Sequence, residues 1–177
     1  MVVIDCGACV GSFFRQFLEH EIHAFEPLQK NFAYLKKRYP QVRVYRKAVT
    51  GKSGETVKLY LHQDVKHRNR LGSMGSSVMA DKTNVDKAHF EEVESLALSD
   101  FLGDLGKRVN LLKIDTEGTE FQIFEDLLRN GRINDFDLIV YEDHRQRHPA
   151  MFDLPWTNEV EKWLAADFKG ELRKVDF

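Results

Sequence analysis

The sequence VIDCGACVGSFF, residues 3–14, leads from an apolar segment through two glycines into a segment rich in phenylalanine. A buried strand that turns through glycines into a helix is how many α/β proteins hold a nucleotide-type cofactor. Gly7 permits a tight turn, and Gly11 permits a helix to begin close to the sheet. The same stretch carries Cys6 and Cys9 at the C-x-x-C spacing of thioredoxin-like redox sites. Two hypotheses follow, a cofactor-binding turn or a redox dithiol.

The position of Cys9 favours the cofactor-binding turn. A redox dithiol lies at the beginning of a helix, whereas Gly11 and Ser12 separate Cys9 from the predicted helix. We therefore expect Cys6 and Cys9 to be small buried residues without a redox function. A direct contact between Cys9 and the cofactor stays open.

Glu26 is the second feature that points to a nucleoside cofactor. It ends the next apolar segment, 21 residues after Asp5. An acidic side chain at that place can accept hydrogen bonds from the two ribose hydroxyls. The dinucleotide pattern G-x-G-x-x-G is not met, because Cys9 and Ser12 occupy the positions of its second and third glycines.

The segments beyond this stretch alternate between strand and helix patterns. Residues 12–21 are predicted as a helix with Ser12 as its N-cap, and VRVYRKAV (residues 42–49) as one strand. Residues 56–62 are predicted as an edge strand or part of a hairpin. Further strands are predicted at 109–115, 135–143 and 170–177, with helices at 99–106 (capped by Ser99), 119–131 and 158–168. This alternation predicts an α/β fold with a doubly wound, mostly parallel sheet, in one domain of residues 1–177.

Composition excludes several classes of protein. The chain has 177 residues, 42% hydrophobic and 31% charged, as in ordinary globular proteins. The formal net charge of −2 gives no overall field that favours nucleic acid or an anionic membrane. Two cysteines are too few for a disulfide-rich secreted scaffold, so we expect a reducing, cytoplasmic location. No apolar stretch approaches the roughly 18 residues of a membrane span.

Four side chains that could accept a proton or bind a metal ion follow two apolar strands, and these strands should be neighbours in the sheet. Asp115 ends one strand with Glu117 just beyond it, and Glu142 and His144 end the other. Because parallel strands end at the same sheet edge, we expect these four side chains near the cofactor turn. They could supply a general base or a divalent-metal site. If His144 is the base, activity should show one ionisation near pH ~6.5.

Three other features are harder to interpret. Lys113 alternates onto the same side of its strand as Asp115, either as a paired structural lysine or as a substrate contact. Residues 62–89 form a long polar loop whose GSMGSS segment (residues 72–77) would suit a lid or a plain linker. His62, His67 and His89 show no metal-ligand spacing.

Four segments together resemble one family. VIDCGACVGSF, HAFEPLQKNFAYL, LLKIDTEGTEFQIF and DLIVYEDH are similar in order and spacing to the FkbM-type S-adenosylmethionine-dependent methyltransferases. The resemblance implies a Rossmann-like class I methyltransferase fold and O-methylation of a sugar or another small hydroxylated molecule. It also implies that S-adenosylmethionine is held by Asp5, Gly7, Ala8, Cys9, Gly11, Glu26 and Ala48.

The chain departs from the family pattern at three places. Cys9 stands where the family usually has Asn, little precedes the first strand, and the closing strands are short. These departures suggest a minimal or truncated enzyme, or a chain that completes its sheet as a homo-oligomer. They also keep a non-catalytic cofactor-binding module open as an alternative function. A nucleic-acid methyltransferase is the other alternative, disfavoured by the charge and by the lack of an Asn/Asp-Pro-Pro-aromatic motif.

Overall fold

The computed structural model describes residues 1–176. In chain order its strands and α-helices are β1 Val2–Cys6, β2 Glu21–Phe25, α1 Gln29–Arg38, β3 Arg43–Tyr45, β4 Ala48–Thr50, β5 Thr56–His62, α2 Val65–Asn69, β6 Val85–Ala97, α3 Leu98–Leu105, β7 Val109–Ile114, α4 Glu120–Arg129, β8 Phe136–Tyr141, α5 Leu154–Asp167 and β9 Glu171–Lys174. Short 3-10 helices occupy Phe14–Phe17, Ile133–Asp135 and Pro149–Met151. Within these residues, no helix has the length and apolar character needed to cross a membrane.

A six-stranded sheet organises the chain. Its strand order is β3-β2-β1-β7-β8-β9, and every neighbouring pair in it is parallel. The central strands β1, β7 and β8 are mostly buried, as expected where helices cover both faces of a parallel sheet. The predicted α/β fold with a mostly parallel sheet is confirmed.

Two hydrophobic clusters pack against opposite faces of this sheet. Ile4 and Leu112 belong to the cluster beneath α3, α4 and α5, whereas Val3 and Leu111 belong to the cluster beneath α1. Successive side chains of a strand point to opposite faces, so this division is the expected result of helices on both sides. The carboxyl ends of β1, β7 and β8 are consequently left free of both helical layers and available to build a site.

A second sheet corrects the prediction for residues 42–49. That segment is not one strand: it divides at Arg46 into β3, in the main sheet, and β4, in a three-stranded sheet of order β4-β6-β5. Arg46 turns the chain there, because its guanidinium donates to the Pro27 carbonyl and to Glu91. β5 lies at the edge of this sheet and pairs antiparallel with β6, which confirms the edge-strand alternative. The two strands do not form a small hairpin, because α2 lies between them.

Three local predictions were wrong. The helix expected at residues 12–21 is only the 3-10 helix Phe14–Phe17, because β2 already begins at Glu21, and Ser12 caps nothing. Ser99 lies inside α3, where Asp126 of α4 accepts hydrogen bonds from its amide and its hydroxyl. Residues 62–89 are not all loop, since they contain α2 and the beginning of β6.

Candidate functional site

A cavity of about 200 Å³ opens at the carboxyl ends of β1, β2 and β7. It lies where ligands collect in doubly wound sheets. Its wall combines the glycine turn, the end of β2, β4 and the segments after β7 and β8. We call it the first cavity, and the residues that line it are Gly7, Cys9, Glu26, Pro27, Leu28, Lys47, Ala48, Val49, Leu59, Ser73, Met74, Gly75, Ser76, Val78, Asp115, Thr116, Glu117, Thr119, Glu142 and Arg147.

The glycine turn presses the backbone tightly against β7. Gly7 has φ +83°, and a Cβ added there would lie 1.8 Å from the Asp115 carbonyl oxygen. A side chain at position 7 would therefore push the two strand ends apart. Cys9 adopts φ 51°, the left-handed region that few residues other than glycine enter. Both residues therefore hold the turn in a conformation that glycine adopts most readily.

Four residues expected to bind the cofactor lie in the first cavity wall and three lie behind it. Glu26, Gly7, Cys9 and Ala48 line the cavity. The other three are buried or turned away from it: Asp5 and Ala8 are almost fully buried, and Gly11 packs against Phe14 and Tyr39. The cofactor role predicted for all seven residues stays a prediction.

Glu26 is the buried carboxylate of the first cavity. Its two oxygens accept hydrogen bonds from the amides of Cys9, at 2.7 Å, and Leu28, at 2.9 Å. Burial raises the pKa of Glu26 to about 7, although both amides act to lower it. Each carboxylate oxygen has a second lone pair, so the group can still accept hydrogen bonds from a ligand.

Lys113 is confirmed as a paired structural lysine. Its ammonium lies 3.2 Å from Asp5 and 3.3 Å from Asp115, and it donates to the Gly7 carbonyl at 2.7 Å. Burial alone would lower the pKa of Lys113, but the charges of the two aspartates raise it. Lys113 therefore fixes the glycine turn against the end of β7 and holds Asp115 at the cavity wall.

The predicted catalytic residues do converge, together with Glu120, in what we call the carboxylate–histidine cluster (Asp115, Glu117, Glu120, Glu142 and His144). The His144 Nε2 atom lies 3.1 Å from Glu117, 4.0 Å from Asp115 and 3.9 Å from Glu142. Its Nδ1 atom lies 3.0 Å from Glu120, a fully buried side chain in the first turn of α4. His144 is thus enclosed by carboxylates on both of its nitrogens.

This enclosure changes the ionisation expected of His144. Burial would lower the pKa of His144, but the hydrogen bonds and charges of Glu117 and Glu120 raise it to about 10. The ring is consequently a cation at neutral pH and cannot accept a proton. This environment disfavours a base that ionises near pH 6.5, and the base role of His144 stays an untested prediction.

The same cluster contains the atoms of a metal-ligand set. One ligand atom each from Asp115, Glu117 and His144 lies within 4.8 Å of the other two. Cations already neutralise these carboxylates: Lys82 and His144 pair with Glu117, and Arg147 pairs with Glu142. A divalent ion would have to displace Lys82 and the proton of His144, so the geometry favours the ion-pair network over a metal site.

The GSMGSS segment folds over the first cavity and is anchored at both ends. At one end Gly72 donates to the Asn31 side chain, which in turn donates to the Ser73 carbonyl. At the other end the Gly75 amide donates to Glu117 at 2.9 Å. Four further bonds complete the anchorage. Lys82 donates to the Gly75 carbonyl, the Ser77 hydroxyl donates to the Glu117 carbonyl, and Ser77 and Tyr60 exchange two backbone bonds.

Two cationic side chains of the site were not identified from the sequence. Lys82 lies in the polar segment before β6, yet its side chain is only 1% exposed and pairs with Glu117. Arg147 lies after β8 and pairs with Glu142. A single lysine or arginine in a polar segment carries no pattern, so only the count of unpaired acids at the sheet edge could have suggested that cations were needed.

Both cysteines are free thiols. Cys6 is fully buried, and burial raises the pKa of its thiol. Burial and the charge of Glu26 raise the pKa of Cys9 to about 12. A reactive cysteine needs a lowered pKa, so this environment favours the non-redox interpretation of the C-x-x-C spacing.

Known proteins resemble this chain at the level of a domain family. A solved structure of methyltransferase FkbM from Methylobacillus flagellatus KT is 15% identical, with a TM-score of 0.41 over 72% of this chain. The chain spans 29% of that protein's length. No curated protein is similar enough in sequence to be matched with it. The family model for the methyltransferase FkbM domain matches residues 5–170. The chain therefore belongs to the FkbM methyltransferase domain family.

Proposed function

We propose that the chain is an S-adenosylmethionine-dependent methyltransferase that methylates a hydroxyl group of a small molecule. The observation that carries the proposal is the position of Glu26, a buried carboxylate in the wall of a cavity whose far side is the carboxylate–histidine cluster. One cavity thereby offers a ribose-binding acid and, beyond it, groups that can receive a proton. Membership in a methyltransferase family supports the reaction class.

The residues of the first cavity fit the adenosine part of this cofactor. Leu28, Ala48 and Leu59 supply an apolar surface for the adenine ring. Glu26 would accept hydrogen bonds from the ribose hydroxyls, and the backbone of Gly7 and Cys9 would lie along the remainder. When bound, S-adenosylmethionine supplies an electrophilic methyl group on a sulfonium sulfur.

We assign the proton-accepting role to Asp115. It lines the first cavity, and its side chain is 20% exposed, so an acceptor hydroxyl can reach it. Burial raises the pKa of Asp115 and Glu117 acts in the same direction, although the charge of Lys113 acts to lower it. A more basic carboxylate is a better proton acceptor. His144 and Lys82 would hold Glu117 in place rather than exchange protons with the acceptor.

A methyl-transfer assay tests this function. The wild-type chain is incubated with cofactor carrying a labelled methyl group and a panel of sugars and small alcohols. Asp115→Asn should lower turnover roughly 10²–10⁴-fold, because the acceptor hydroxyl loses its base, while binding of S-adenosylhomocysteine persists. Asp104→Asn, at an exposed position of α3, is the matched control and should keep full turnover.

Two results would count against the assignment. Undiminished transfer by Asp115→Asn would remove the base role from Asp115. Transfer to RNA or DNA but to no small hydroxylated acceptor would replace the proposed substrate class.

We further propose a cytoplasmic location, supported by the two free thiols.

A further inference from the structure

A second cavity, of about 250 Å³, adjoins the first. The two share the wall residues Met74, Gly75, Glu117 and Arg147. Neither reaches the roughly 300–1,000 Å³ typical of small-molecule sites, but the two together do. A molecule whose hydroxyl lies at Asp115 can therefore extend past Glu117 into the second cavity.

Nitrogen-bearing side chains dominate the wall of the second cavity. Besides the shared residues and His144, they are His62, His67, Lys82, Asn84 and His148. The rings of His62 and His67 stack with centroids 4.3 Å apart, although the sequence shows no ligand spacing for them. Within the described chain, the Nδ1 atom of His67 and the Oδ1 atom of Asn84 are buried without a hydrogen-bond partner. Unsatisfied buried polar atoms are rare, and here two of them belong to one cavity. The imidazole nitrogen can donate to a ligand, whereas the amide oxygen can only accept.

The electrostatic surroundings of this cavity disfavour a cation. Lys82, Arg147 and His144 bring positive charge to its wall. Lys82 and His144 pair with Glu117, and Arg147 pairs with Glu142. Burial, followed by the charge of His67, lowers the pKa of His62. Burial, followed by the charges of Lys82 and His144, lowers the pKa of His148. Glu117 is the one acidic residue among the described residues that line the second cavity, so its wall suits an anion better than a metal ion.

The cofactor does not account for the second cavity. Its wall contains none of residues 5–11, and Glu26 is absent from it as well. Those are the residues proposed to hold S-adenosylmethionine, and the shared wall at Glu117 lies beyond them. The second cavity is therefore on the acceptor side of the site.

We propose that the second cavity binds an oxyanion group, phosphate or carboxylate, carried by the methyl acceptor. Acceptors are then anionic hydroxylated molecules, such as a sugar phosphate or a sugar acid, rather than neutral alcohols. His62, His148 and Lys82 surround the oxyanion, and its arrival favours the protonated imidazoles. The inference rests on the proposed methyltransferase function, because it assigns the oxyanion to the methyl acceptor.

Inorganic phosphate is the first probe. The full chain, labelled with ¹⁵N in its histidine rings and saturated with S-adenosylhomocysteine, is titrated with phosphate while the ring resonances are recorded. The resonances of His62 and His148 should shift saturably. His148→Ala and His62→Gln should each weaken phosphate binding roughly 10-fold, the loss of one hydrogen bond to a charged group. His20→Ala is the matched control, because His20 precedes β2 at the opposite end of the strands.

Sugars are the second probe and distinguish the two oxyanions. Glucose, glucuronate and glucose 6-phosphate are each added against bound phosphate and tested as methyl acceptors. One or both anionic sugars should displace phosphate and accept a methyl group, whereas glucose should do neither. The anionic sugar that competes better identifies the preferred oxyanion as carboxylate or phosphate.

The possible failures are distinguishable. If S-adenosylhomocysteine binds but phosphate moves no ring resonance of His62 or His148, the oxyanion site is refuted and the proposed function stands. If S-adenosylhomocysteine displaces phosphate, the second cavity belongs to the cofactor and the inference is refuted. If S-adenosylhomocysteine does not bind at all, the proposed function fails and the assignment to an acceptor fails with it.

Discussion

Single residues differ in how far the sequence reveals their role. Glu26 could be found from its place at the end of an apolar segment, since the strand end alone puts its carboxylate at the sheet edge. The positive charge of His144 could not be predicted from the sequence. It depends on Glu120, which is 24 residues away and contacts His144 only in the folded chain. The left-handed backbone of Cys9 could not be predicted either, because cysteine has no preference for that conformation.

The raised pKa of His144 makes a prediction about stability. A group whose pKa is higher in the folded state contributes stability that is full below its unfolded pKa and is lost as pH rises through its folded pKa. The unfolded value is ~6.5 and the folded value about 10. The free energy of unfolding should therefore fall steadily between neutral pH and about pH 10.

Urea unfolding across that range measures the effect. In His144→Gln the unfolding free energy should change little over this pH range, whereas in His20→Gln it should fall as in the wild type. An unfolding free energy that falls equally in the wild type and in His144→Gln would mean that His144 is not held as a cation.

Whole elements were predictable where periodicity is long and regular. β7, α4 and β8 each carry a regular arrangement of apolar residues, so their type and order could be predicted from the sequence. The break between β3 and β4 could not be predicted, because the turn at Arg46 depends on hydrogen bonds to Pro27 and Glu91 in distant segments. Segment 72–77 is likewise fixed by side chains outside it, and its own glycines and serines indicate only a turn.

Lys82 provides the test of that anchorage. Lys82→Met keeps the apolar stem but removes the ammonium that pairs with Glu117 and bonds to the Gly75 carbonyl. The free energy of unfolding should fall by about 3 kcal/mol, the cost of leaving a buried charge without one partner. Lys87→Met is the matched control: that side chain is 64% exposed, and its loss should cost about 0.5 kcal/mol.

Limited proteolysis supplies the local measurement. Cleavage between residues 62 and 84 should be faster in Lys82→Met than in Lys87→Met. Equal rates of cleavage in the two variants would show that the Lys82 contacts do not hold the segment over the first cavity.

At the scale of the whole molecule, the topology predicts the place of the site better than its contents. Parallel strands in the order β2-β1-β7-β8 bring Glu26, Gly7, Asp115 and Glu142 to one edge, and the sequence was sufficient for that. The second cavity could not be predicted from the sequence. His62 ends β5 of the three-stranded sheet, whereas His148 lies in the segment after β8. Their meeting depends on how the two sheets pack, which no local pattern records.

We propose that the first cavity holds the cofactor through Glu26, and calorimetric titration with S-adenosylhomocysteine tests this proposal most directly. Glu26→Ala should weaken binding at least ~100-fold through the loss of hydrogen bonds to a charged group, and Glu26→Gln about 10-fold. Glu19→Ala, at a side chain that is 70% exposed, should bind as the wild type does. Equal affinity of the wild type, Glu26→Gln and Glu26→Ala, with all three folded, would contradict the account.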